Sequence, residues 1–170
     1  MSKKIRKFLV VVDDTSECHR AISYASRRAM QTKGKITLLR VVNTSDFKNI
    51  YGVEAIMKQE AEENAREILK TYSENVNADT GLVPELVVRF GQPTTEIIDF
   101  INEDGSISLL VLAAATDSIN PGPLVSQFTG SRASNFPIPI TIIPGQITKD
   151  AILCLLYTSP SHETNSNLVF

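Results

Sequence analysis

Short apolar runs alternate with helix-like segments along most of the chain, the pattern of strand–helix–strand units on a parallel sheet. Residues 8–12 (FLVVV) are continuous and rich in β-branched side chains, as expected of a strand covered on both faces. Thr15 or Ser16 can cap a following helix whose apolar positions Ala21, Ile22, Ala25, Ala29 and Met30 recur at three- and four-residue spacing, with Gly34 as its stop. Residues 36–42 form a second strand. The longest helical stripe follows, with Ile56, Met57, Ala61, Ala65, Ile68, Leu69, Tyr72 and Val76 on one face and Glu62 four residues before Arg66. A stripe of this kind covers a sheet.

Residues 86–90 predict a third strand, Thr94 or Thr95 caps a short helix bearing Ile97, Ile98 and Ile101, and residues 107–113 predict a fourth strand. The segment 116–123, TDSINPGP, cannot be regular structure and lies beside the C-terminal end of that strand. Open parallel sheets bind ligands at such ends. A helix over residues 124–135 then precedes an apolar run at 138–143, bracketed by Pro137, Pro139 and Pro144. Proline cannot donate to a ladder, so this last strand belongs at an edge.

The end of the chain reads differently. CLLYTSPS at 154–161 matches the translation of a transposon-end sequencing adapter, since TGT CTC TTA TAC ACA TCT encodes Cys-Leu-Leu-Tyr-Thr-Ser. The expectation is one domain over residues 1–150 and a non-native or disordered tail over 151–170, with no function assigned to Cys154 or His162.

Composition narrows the function classes. The 170 residues carry a net charge of −2 and 42% hydrophobic side chains, with no Trp and 6% aromatics. These values suit a single soluble domain and give little material for stacking bases or neutralising phosphates, so neither nucleic acid nor membrane is expected as a partner. Lys3, Lys4, Arg6 and Lys7 form a small basic cluster at the start, read as a solvated arm. The start of the chain has no signal-peptide pattern and the two cysteines make no disulfide framework, which together predict a cytoplasmic protein.

Catalytic groups are scarce. Of two histidines, His162 lies in the suspect tail and His19 neighbours Cys18 on a first helical turn, where adjacent side chains diverge. No metal set or nucleophile–base pair can be assembled from these residues, so no enzyme activity, no catalytic residue and no metal site is expected. Cys18 is read as an inert helix thiol. Asp13 and Asp14, at the end of the first strand, are the better candidates for a ligand contact, beside their ordinary use in turns. Neither a Walker motif nor G-x-G-x-x-G occurs.

The order VVVDDTSECHRAISYA, LLRVV, a long second helix and a terminal PIPITIIP strand resembles the universal stress protein family over residues 5–147. PGPLVS followed by FPIPITIIPG is similar to its alphaproteobacterial members. The resemblance implies a flavodoxin-like, Rossmann-like α/β open sandwich: a five-stranded parallel sheet in the order 3-2-1-4-5 with helices on both faces. It also implies a nucleotide pocket, because many members hold ATP through an Asp after the first strand, the backbone at the end of the second, and G-x2-G-x9-G-(S/T) after the fourth.

Asp13 and Val41 match the first two features, whereas the ungapped register puts Ala113, Thr116, Ser126 and Gln127 on the glycine motif. A shifted register brings Gly130 and Ser131 onto its last pair, but sets Asp117 and Asn120 on the leading glycines and shortens the last helix by four residues. Phosphate approaches a backbone only where no Cβ intervenes, and Arg132 is the first cation after Ala113. The expectation is a degenerate pocket without the usual ATP site and no cofactor, the alternative being a Mg-ATP switch with slow or no hydrolysis. The expected partners are an unidentified protein and a second copy, joined through Ile138, Ile140, Ile142 and Ile143 on the fifth strand.

Overall fold

A computed structural model describes residues 4–47, 52–116 and 119–157. Its elements run β1 (Lys7–Val11), α1 (Cys18–Gln31), β2 (Lys35–Val42), α2 (Val53–Thr80), β3 (Glu85–Phe90), α3 (Pro93–Glu103), β4 (Ile107–Ala113), α4 (Pro123–Thr129), β5 (Ile140–Ile143) and α5 (Lys149–Tyr157), with 3₁₀ turns at Thr44–Asp46 and Ala133–Asn135. All pairings are parallel and the strand order is β3-β2-β1-β4-β5, as the resemblance implied.

Alternation along the central strands divides the core in two. Phe8 and Val10 of β1 pack with Ile36, Leu38 and Val111 against Ala21, Ile22, Ala25 and Ala29 of α1 and Leu69 and Val76 of α2. Leu9 and Val11 pack on the other face with Leu39, Leu110 and Leu112 against Ile97, Phe100 and Ile101 of α3 and Val125 and Phe128 of α4. A strand buried on both faces must be apolar at every position, which is why residues 8–12 show no polar alternation.

Several boundaries differ from the expectation. Glu17 occupies the cap position of α1 without a side-chain bond to the helix amides, while Thr15 is turned back to Asp13. The left-handed turn after α1 falls on Lys33 (φ +55°), while Gly34 is needed for a close approach: a Cβ there would meet the Arg6 carbonyl oxygen at 2.7 Å. Gln92 caps α3, accepting from the Thr95 amide at 2.9 Å with Pro93 at the first helical position, so neither Thr94 nor Thr95 has that role. The helix expected over 124–135 stops at Thr129 and resumes as a 3₁₀ turn, with Gly130 between. β5 starts at Ile140 because Pro137 and Pro139 lack donors.

Residues 151–157 of the expected tail lie in α5, whose Ile152 and Leu156 are buried. Spaced four apart, they make one apolar stripe beside α1, and the Gln31 side-chain amide donates to the Leu156 carbonyl at 3.2 Å. Residues 158–170, including His162, lie outside the described residues.

At the N-terminal end of the sheet, Lys7 Nζ donates to Asp104 at 2.6 Å and to Glu85 at 3.1 Å, tying the start of β1 to the α3–β4 link and to the start of β3. Burial alone would lower the Lys7 pKa, but these hydrogen bonds outweigh it and raise the value. The same Lys7 hydrogen bond, with one from Ser106, holds the Asp104 carboxyl at about 2 against an ordinary 3.8. A depressed carboxyl stabilises the fold above its unfolded pKa and loses that contribution as pH falls toward the folded value. Asp104→Asn is therefore expected to cost roughly 1–2 kcal/mol at neutral pH, measured by urea unfolding, and to cost almost nothing near pH 2. A deficit independent of pH would refute this assignment.

Candidate functional site

A crevice of about 380 Å³ opens at the C-terminal ends of β1, β2 and β4. The sheet creates it: the chain leaves β1 toward β2 but returns from β3 to β4 on the other side, so the crossovers diverge there. Val12, Asp13 and Asp14 form one wall, Arg40 and Val41 a second, and Ala113 with Gly122 and Gln127 a third.

Asp13 is held by its own turn. Its Oδ1 accepts from the Thr15 amide at 3.0 Å and the Thr15 hydroxyl at 2.5 Å, fixing the carboxylate at the mouth. Asp14 is exposed and its Oδ1 accepts from Arg40 Nη2 at 2.5 Å, while Arg40 Nη1 donates to the Val12 carbonyl at 3.2 Å. Arg40 is the sole cation among the described lining residues, and it is engaged twice. Gln127 Oε1 accepts from the buried Thr94 hydroxyl, joining α4 to the start of α3.

Asp13, Val41, Ala113 and Gln127 thus line one crevice. Thr116 and Ser126 do not: the Thr116 hydroxyl donates to Glu17 Oε1 at 2.5 Å, and the Ser126 hydroxyl donates to Asn120 Oδ1 at 2.5 Å. Glu17 is buried beneath the loop that follows β4, and the Thr116 hydrogen bond lowers its pKa, which keeps it an anion and an acceptor. A Cβ at Gly145 would collide with the Ala114 carbonyl and with the Thr116 and Glu17 side chains, so the link after β5 clamps the same corner.

Gly130 follows α4, after its last residue Thr129. Asp117, which the shifted register uses, lies outside the described residues. The glycine that does precede α4 is Gly122, at φ +104°.

Arg40, Asn43, Gln92 and Thr94 also line the crevice and were missed in the sequence. Arg40 left a trace, as a cation between the apolar pairs Leu38–Leu39 and Val41–Val42 of the second strand. Gln92 and Thr94 left none, because GQPTT reads equally well as capping.

Cys18 lies deep behind the crevice wall, its thiol directed at the Val11 carbonyl (3.7 Å), and burial pushes its pKa up to about 12. A thiol so held is not a nucleophile at neutral pH. His19 Nδ1 lies 2.5 Å from the Ser16 carbonyl on the exterior. Among the described residues no group of His, Cys, Asp and Glu is placed to hold a metal ion, and no helix is long and apolar enough to cross a membrane.

A doubly wound parallel sheet with its crevice at the switch point defines a flavodoxin-like α/β fold class. Within that class the chain belongs to the universal stress protein family, whose model matches residues 4–144. The fold is shared with the universal stress protein UspA from Lactobacillus plantarum (21% identity, TM-score 0.69, covering 84% of this chain and 99% of that one). It is also shared with a stress protein from Archaeoglobus fulgidus in complex with dAMP (18%, TM-score 0.56, 83% and 99%). A third similar structure is the Arabidopsis thaliana family protein At3g01520 with AMP bound (16%, TM-score 0.57, 85% and 94%). No curated protein sequence matches the chain at a significant level.

Proposed function

We propose that this protein is a cytoplasmic, homodimeric binding module of stress regulation that acts by contact with a partner, and that its crevice does not hold Mg-ATP in the family's usual way. The stress domain is taken as residues 1–150, with 151–157 packed onto it as the remainder of α5. One observation carries the reading of the crevice: its described walls hold two carboxylates, Asp13 and Asp14, against a single cation already hydrogen-bonded to Asp14 and to backbone. A triphosphate there gains no free positive partner and meets like charge. Ala113 and the Gln127 side chain also stand where the resemblance expects glycine and a small hydroxyl. The second reading, a nucleotide switch, is favoured by the AMP and dAMP held by two structures of the same fold.

Thermal unfolding with added Mg-ATP separates the two. A ligand at one hundred times its dissociation constant stabilises by about 2.7 kcal/mol, or several degrees. The unmodified protein is expected to shift by less than about one degree. Restoring the motif with Ala113→Gly, Thr116→Gly, Ser126→Gly and Gln127→Ser tests the same point from the other side, Ala113 and Gln127 being the two that reach the crevice. ATP affinity is expected to rise in that variant. A shift of several degrees in the unmodified protein would instead establish the nucleotide switch.

A further inference from the structure

The N-terminal end of the sheet, opposite the ligand crevice, carries a second recess of about 440 Å³. Its floor is Ile36, Leu82 and Pro84, and its apolar rim is Ile5 and Val83, which are 51% and 82% exposed. Single exposed apolar residues are ordinary, but two flanking a recess form a patch. Lys33 and Lys35, both exposed, stand on its rim. Neither is in an ion pair among the described residues. The nearby acids are already used, since Glu85 and Asp104 are both taken by Lys7.

The chain as a whole carries −2, so this end is basic against the average. Lys33 adds a separate sign. It holds a left-handed backbone (φ +55°) in which glycine is the lower-energy residue, and Arg28 already supplies a cation to the last turn of α1. The lysine therefore places a charge on the rim at a conformational cost that helix capping does not require.

We propose that this basic-rimmed recess docks an acidic peptide segment of a partner protein, which inserts one large apolar side chain between Ile5 and Val83 while its carboxylates meet Lys33 and Lys35. Charge complementarity favours this occupant, and a concave apolar floor suits a single inserted side chain. A bilayer would need a broad apolar face, whereas only two exposed apolar side chains flank this recess, and a nucleic acid would find no aromatic ring among the residues of the recess. The surface lies at the far end of the sheet from the crevice, so its test stands apart from any nucleotide result.

The test is fluorescence anisotropy of a labelled peptide, Glu-Asp-Glu-Glu-Phe-Glu-Asp-Glu, titrated with the full chain. Saturable binding is expected at about 50 mM salt, and weaker binding at about 500 mM, where exposed charges are screened. Lys33→Glu with Lys35→Glu, and separately Val83→Asp, are each expected to weaken binding at least tenfold, with unfolding curves unchanged because all three side chains are exposed. Lys33→Gly is expected to raise the melting temperature while weakening the peptide, a pairing that a purely structural lysine would not give. Absence of saturable binding overturns the proposal. So does equal binding by the charge-reversed protein, equal binding of a peptide with Ala in place of Phe, or co-sedimentation with phosphatidylserine vesicles that the peptide does not displace.

Discussion

Val10→Asp is expected to leave the chain unfolded at 25 °C. Val10 is fully buried on the central strand, paired on one side with Leu38 and on the other with Val111, and facing α1. The substitution removes an apolar side chain worth about 1.5–3 kcal/mol and sets a carboxylate where no cation or water can reach it. The carboxyl can escape ionisation only by a large upward shift of its pKa, which itself costs stability at neutral pH. Against a total stability of about 5–15 kcal/mol, the combined loss takes most or all of the margin. Val10→Ala, which deletes two methyl groups and buries no charge, is expected to cost only about 1–2 kcal/mol and to remain folded. Circular dichroism with urea titration reads both, and a cooperatively folded Val10→Asp protein would show that β1 is not at the centre of the sheet.

The centrality of β1 was legible because burial on two faces forbids polar residues, and residues 8–12 have none. β4 was legible to its ends from an apolar run that only Ser108 interrupts. Element ends were less so, since capping is decided by which side chain is free: Thr15 is occupied by Asp13, and Gln92 reaches the Thr95 amide first. α5 was unreadable as part of the fold because its stripe consists of only Ile152 and Leu156, too few to show a period.

The crevice was half legible. Asp13 follows from its place at the end of the first strand and Val41 from the family resemblance, and the structure sets both in the wall. Thr116 and Ser126 were chosen by counting along a loop, and counting cannot reveal that each hydroxyl is claimed by a neighbour, Glu17 in one case and Asn120 in the other. Arg40 reaches across from β2 to Asp14 of the β1–α1 link, a partnership between positions 26 apart that no local pattern records.

The fifth strand supports an expectation about assembly. β5 is the outermost strand beside β4, and the Leu110 amide donates to the Pro139 carbonyl while the Ala114 amide donates to the Ile143 carbonyl. Backbone groups alternate in direction along a strand, so the amides and carbonyls of Ile140 and Ile142 point outward, away from β4. Ile143 is turned into the core beside α1, whereas Ile138, Ile140 and Ile142 are half-buried and pack toward α3 and α4. A second copy related by a two-fold axis can pair this edge antiparallel with itself, satisfying the outward groups and covering Ile138, Ile140 and Ile142 while Ile143 contributes backbone alone. On the proposed homodimer, Ile142→Lys is expected to weaken association by about 100-fold, or ~2.7 kcal/mol, and to run as a folded monomer in size-exclusion chromatography with light scattering. Ile142→Pro provides a second variant, because it deletes an outward donor without touching the ladder to β4. An unmodified chain that elutes at the mass of one copy at micromolar concentration would remove this interface, as would a dimer that survives both substitutions.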